Sequence, residues 1–265
     1  MSPEFSISGL GSEDEPPGIY LDMKLATLVG KNHEYQMPGL CGPAVVREIL
    51  KSAREYQLQM GLITQGENDG APIPDQREIA FEIMSGPIEQ DYWSVISPYV
   101  SPEDYEFYKT VGLRAYCLPE DMTRYLGSGA VFKENQAIAD LKQAVFIDKR
   151  PVAVLWNEII PDRHGTREGG HWSLAVDYNA VNNTFTMIDS SLAERFYDEK
   201  GFVVAYVPNR KNTYWTVRNR YKIDASYLTQ NWYDKAIIDG KEREYRGTRI
   251  VLDLARIKPP KLAHA

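Results

Sequence analysis

Apolar positions along this chain follow two periods. Val46, Ile49, Leu50 and Ala53 recur at i, i+3, i+4 and i+7, which is the spacing of one helical face. Pro43 suits the first turn of that helix, because its missing N–H would have no intrahelical partner there. Residues 138–151 read as an amphipathic helix and turn, and residues 152–156 follow as an apolar strand. From Trp172 to Tyr178 apolar and polar residues alternate, the period of a half-buried strand. Asn182 and Asn183 mark a turn, and residues 184–189 make a second strand, so the pair reads as a β-hairpin. Further helices are expected near 75–84 and 101–111. Strands are expected at 202–207 and 249–254, with 214–221 pairing in the same sheet. There are no internal repeats. The class predicted is α+β, with helices packed on an antiparallel sheet.

Candidate chemistry begins at the start of the first helix. Cys41 sits in Gly39-Leu40-Cys41-Gly42-Pro43-Ala44, with Gln36 five residues upstream. A cysteine at a helix N-terminus meets unpaired N–H groups and the positive end of the macrodipole, which favour thiolate over thiol. Most lone cysteines are small core residues, so a nucleophile needs a base. Of four histidines, His264 is near the C-terminal end, His33 is close to Cys41 in sequence, and His164 lies in a polar run, 161–168, that reads as an exposed loop. His171 differs, since it follows Gly169-Gly170 and opens the alternating strand.

Asp189 ends the second strand of the hairpin, and register decides whether it reaches His171. A loop over residues 178–183 sets Asp189 beside Trp172 and close to His171. A two-residue turn at Asn182-Asn183 sets it opposite Val176 instead. A one-residue slip reverses every side chain. The longer loop is the reading favoured here, because it supplies a carboxylate that orients the imidazole. Asp177 is the competing carboxylate, but about 20 Å of extended strand separates it from His171.

The order Gln36, Cys41-Gly42-Pro43-Ala44, Gly170-His171 and Asp189 resembles papain-like cysteine peptidases. The branch it is most similar to is the double-glycine leader peptidase-like one, which processes bacteriocin precursors. The helix at 138–151, the strand at 152–156 and the Trp232 segment fit the same branch. The resemblance covers roughly residues 30–60 and 135–235. It implies a papain-like fold, with a nucleophile-bearing N-terminal helix packed on an antiparallel sheet. It also implies Cys41 as nucleophile, His171 as base, Asp189 as orienter and Gln36 in the oxyanion hole. Ser190 departs from the pattern, since many relatives have proline there, and residues 61–134 read as a helical insertion.

Composition narrows the setting. At 265 residues the chain can bury one sizeable core, and residues 19–265 are expected to form one catalytic domain behind a disordered tail, 1–18. A net charge of −7 with interspersed signs argues against nucleic acid as the main partner. No apolar run is long enough to span a bilayer, and the N-terminus lacks the features of a signal peptide. Two cysteines point to a reducing compartment; the expected location is cytoplasmic, or secreted without a classical signal peptide. Cys117 is expected at a core strand position. No metal-ligand spacing is present, and no cofactor is called for. Aromatic residues of 61–134 either form the core of a helical subdomain or make one wall of a substrate cleft.

The chemistry expected is amide cleavage of a protein or peptide substrate through a thioester. The same machinery serves a glutamine deamidase or a transglutaminase-like acyltransferase, such as a secreted bacterial effector, and fold alone does not choose. A non-catalytic binding module on a peptidase-like fold is the rival outside enzymology.

Overall fold

A computed structural model describes residues 28–85, 116–190 and 213–258, apart from positions 30, 33–35, 38, 70–71, 163–164, 218–219 and 239–240, and also residues 106 and 112. The expected tail, the strand at 202–207 and all of the helix at 101–111 except residue 106 lie outside the described residues.

The architecture is α+β. Helix α1 (Cys41–Gln59) is followed by α2 (Gln65–Asp69), α3 (Gln76–Met84) and α4 (Pro119–Leu126). Strand β1 (Ala130–Lys133) and helix α5 (Ile138–Lys142) come next, and α5 runs into a π-helical turn over Gln143–Ile147. Strands β2 (Val152–Asp162), β3 (Gly165–Asn179), β4 (Thr184–Ile188), β5 (Thr213–Val217) and β6 (Arg220–Asp224) precede helix α6 (Ala225–Asn231). The hairpin β7 (Tyr233–Ile238) and β8 (Lys241–Arg246) and the strand β9 (Arg249–Leu252) complete the described order. One antiparallel sheet runs β1-β9-β2-β3-β4-β6-β5, and β7-β8 form a separate two-stranded ribbon.

Each face of the main sheet has its own core. On one face Trp172, Leu174, Val176 and Ile188 pack with Val46, Ile49, Leu50 and Ala53 of α1. On the other, Val154, Trp156, Ala175, Phe185 and Met187 meet Leu141, Leu228 and Trp232. The helical stripe read from α1 is therefore the face it buries, at about 25 cal/mol for each Å² taken from water.

Three expectations need correction. The polar run at 161–168 is largely strand, because residues 161–162 and 165–168 extend the β2–β3 ladder, while His164 lies outside the described residues. Backbone hydrogen bonds hold such a ribbon without any apolar alternation, so the sequence pattern did not betray it. His171 is accordingly inside β3 rather than at its start, and Gly169 and Gly170 pair with Glu158 and Asn157 instead of forming a flexible loop. Cys117 is buried but in no strand; it immediately precedes Leu118, the N-cap of α4. The stretch 61–134 also contributes more than an insertion: Ile79, Ile83, Met122 and Leu126 join the α1 core, and β1 belongs to the main sheet. Four residues of β1 are too few for a period to show.

Candidate active site

Cys41 is the first residue of α1, and Leu40 at the N-cap makes no side-chain capping bond. Gly39, at φ +75°, and a turn from the Leu40 N–H to the Met37 carbonyl (2.9 Å) bring the chain into the helix. First-turn N–H groups lack intrahelical acceptors, so Cys41 stands at an electropositive helix end. Gly42 is a packing requirement: a Cβ there would lie 2.4 Å from Cys117 Sγ. The two thiols are free, with Cys117 buried and Cys41 half-buried.

His171 is 4% exposed and Asp189 1% exposed, and Nε2 of the ring lies 2.8 Å from Asp189 Oδ1. With the carboxylate ionised, Oδ1 accepts and Nε2–H donates in this bond. The other carboxylate oxygen accepts from Ser173 Oγ at 3.4 Å, and Ser173 Oγ accepts from Trp156 Nε1 at 3.1 Å. Trp156 pairs with His171 across β2 and β3. The imidazole is thus fixed by a chain of buried polar groups on the face of the sheet turned away from α1, so the ring and Cys41 stand on opposite faces of β3.

A β-bulge makes this meeting possible. From Asn179↔Thr184 to Asp177↔Thr186 the hairpin keeps one register, then slips by one residue to Ala175↔Met187 and Leu174↔Ile188. Val176 is the extra residue. Without it, Asp189 would continue opposite Leu174, on the α1 face. With it, Asp189 continues opposite Ser173, on the face of His171. The observed loop is residues 180–183, midway between the two expected turns, and Asp189 falls beside Ser173 rather than Trp172 or Val176. Asp177 is exposed and accepts from the Tyr178 N–H.

Gln36 is tied to the residue after Asp189. Its N–H donates to the Ser190 carbonyl at 2.9 Å, and its Oε1 accepts from Ser190 Oγ at 3.0 Å. The carboxamide is held by its oxygen, which turns its N–H₂ away from Ser190. The segment is pinned again where the Met37 N–H donates to Gln76 Oε1 of α3 (2.8 Å). Ser190 therefore acts where the resemblance led one to expect proline.

Cys41 lines a cleft of about 40 Å³ together with Gly170 and Trp172, the two neighbours of His171. Tyr116 and Leu118 form another wall, and Asp234 and Tyr245 come from the β7–β8 ribbon. Trp172 is held by a bond from Nε1 to the Cys117 carbonyl at 3.1 Å. No protein-family model matches the chain, and no curated protein matches its sequence. Among the described residues no helix is long and apolar enough to cross a membrane, and no group of three or more His, Cys, Asp and Glu could hold a metal ion.

Asp234 was not foreseen. It is 8% exposed, and burial pushes its carboxyl up to about 6, with only the Lys235 N–H pulling the other way. A signal for it exists in the sequence. In Tyr233-Asp-Lys-Ala-Ile-Ile238 the aspartate is in phase with Ala236 and Ile238, on the inward side of the strand, while Lys235 points out. An acidic residue on an apolar strand face is rare without a purpose.

Proposed function

We propose that this protein is a thiol hydrolase, a cysteine peptidase of papain-like architecture that cleaves an amide bond in a protein or peptide. The observation that supports this best is the buried His171–Asp189 pair on β3, whose flanking residues Gly170 and Trp172 share a cleft with Cys41. The ring faces away from α1, so this reading requires His171 to turn to the α1 face of β3, where it takes the Cys41 proton and the thiolate attacks the amide carbonyl. The carbonyl carbon gains the C–S bond, and its oxygen becomes an oxyanion held between the Cys41 N–H and the Gln36 side-chain amide. Collapse breaks the C–N bond as protonated His171 gives its proton to the leaving amine. Water, deprotonated by His171, then attacks the thioester and releases acid and free thiol.

Alkylation by iodoacetamide, followed across pH by mass spectrometry, tests the thiolate–imidazole pair with Cys117 as internal control. Rapid reaction of Cys41 below pH 7, slowed about 10-fold or more in His171→Ala, is the expected result. Cys41 reacting at the rate of an ordinary thiol, indifferent to His171, would overturn the reading. Product analysis then separates a peptidase from a deamidase or acyltransferase: a new α-amine, released ammonia or an isopeptide.

A further inference from the structure

We propose that the cleft beside Cys41 recognises a cationic group of the substrate, an ammonium or guanidinium, with the Asp234 carboxylate as its counter-charge. The inference rests on the reading of Cys41 as the nucleophile, and names the chemistry its substrate carries.

Asp234 is held from both sides. Its carboxylate lies against the Cα of Gly170, where an added Cβ would meet Oδ2 at 1.9 Å. Across the ribbon it pairs with Tyr245, which is 1% exposed and lines the same cleft. The Tyr245 hydroxyl oxygen is buried with no hydrogen-bond partner among the described residues. A buried carboxylate with only the Lys235 N–H to compensate it, and a buried phenol oxygen with no partner among the described residues, cost free energy. An ammonium or guanidinium donates to both oxygens and neutralises the charge. Tyr116 and Trp172 also line the cleft, and aromatic faces attract cations.

The cations nearest in the chain are already engaged. Lys235 pairs with Glu242 at 2.8 Å. Arg243 lies over the Tyr245 ring and bridges Glu120 at 2.7 Å and Glu134 at 2.9 Å. Neither pairs with Asp234, and among the described residues no cation answers its charge. The cleft, at about 40 Å³, admits a group of a few heavy atoms at Cys41.

Methanethiosulfonates that differ only in charge test this on the full chain. The thiolate forms a mixed disulfide with the transferred sulfur, the S–SO₂ bond breaks, and methanesulfinate leaves. Rates of Cys41 modification by the 2-aminoethyl, propyl and 2-sulfonatoethyl reagents are resolved from Cys117 by mass spectrometry. The cationic reagent should react about 10-fold faster than the isosteric propyl one, and Asp234→Asn should bring that ratio close to one. A ratio that Asp234→Asn leaves unchanged overturns the proposal. The wild-type protein gives a second reading: n-butylammonium, and not n-butanol, should protect Cys41 from the propyl reagent. Equal protection by both also overturns it. If every reagent is slow but the charge ratio still depends on Asp234, the cleft assignment stands and the nucleophile assignment falls. Chloromethyl ketones of lysine and norleucine then locate the cation. Faster labelling by the lysine reagent places it on the acyl side, and equal labelling with the ratio intact places it on the acceptor amine.

Discussion

Asp189 and Asp234 are the same residue at nearly the same burial, on opposite faces of one strand. Asp189, behind β3, is surrounded by groups this chain supplies: His171 Nε2 at 2.8 Å and Ser173 Oγ at 3.4 Å. Asp234, in front of β3, presses on Gly170 and carries a carboxyl that burial raises to about 6. The first carboxylate has side-chain donors from its own sheet; the second has the Lys235 N–H alone against its burial. The difference teaches that environment, not residue type, decides how a buried carboxylate is compensated.

Removing Asp189 breaks the comparison most severely. Asp189→Ala leaves His171 and Ser173 buried without their acceptor, and should cost about 3–5 kcal/mol in urea denaturation. It should also remove the fast phase of Cys41 alkylation. Asp234→Asn should act in the opposite sense. The folded protein binds the Asp234 proton near pH 6 and the unfolded chain near 3.8, so the folded state takes up protons more readily between those values. Stability contributed by this group is therefore full below about pH 4 and is lost as pH rises to about 6. Asp234→Asn should raise stability by about 2–3 kcal/mol at pH 7–8 and flatten its decline between pH 4 and 6, as read by urea midpoints across pH.

Two smaller changes sharpen the contrast. Gly170→Ala drives a methyl into the Asp234 carboxylate and should cost about 1–3 kcal/mol. Most of that cost should vanish in the Asp234→Ala background, which a double-mutant cycle measures. Ser190→Ala deletes the hydroxyl that holds Gln36 Oε1 and should cost about 1 kcal/mol. Its kinetic signature, if Gln36 serves an oxyanion, is a fall in kcat with KM unchanged.

The two carboxylates were not equally legible in the sequence. Asp189 could be read because the alternation from Trp172 to Tyr178 and the Asn182-Asn183 turn outline a hairpin, and a hairpin brings its two ends together. Its final position could not, because the bulge at Val176 adds a residue without breaking the apolar pattern: Trp172, Leu174 and Val176 still face α1. Helices α1 and α3 were legible for a different reason. Each carries a full apolar stripe, and α3 opens on a capping box between Asp75 and Glu78. The cleft was hidden because its walls come from Cys41, Tyr116, Trp172, Asp234 and Tyr245, and no local spacing links segments so far apart. Only the in-phase aspartate of β7 left a trace, and it needs the sheet beside it to acquire meaning.

Gln57, near the far end of α1, donates through Nε2 to the carbonyls of Leu254 at 2.8 Å and Ile257 at 2.6 Å. These partners are 197 and 200 residues downstream. At a synthesis rate of about 5–20 residues per second, the helix waits roughly 10–40 s for them. Asp189 and Asp234 also arrive late in that interval. A nascent chain thus carries Cys41 and α1 without Asp189, Asp234 or the cleft walls for most of its time on the ribosome. On the reading proposed above, the order of synthesis leaves the nucleophile without its partners until the molecule around it has been made.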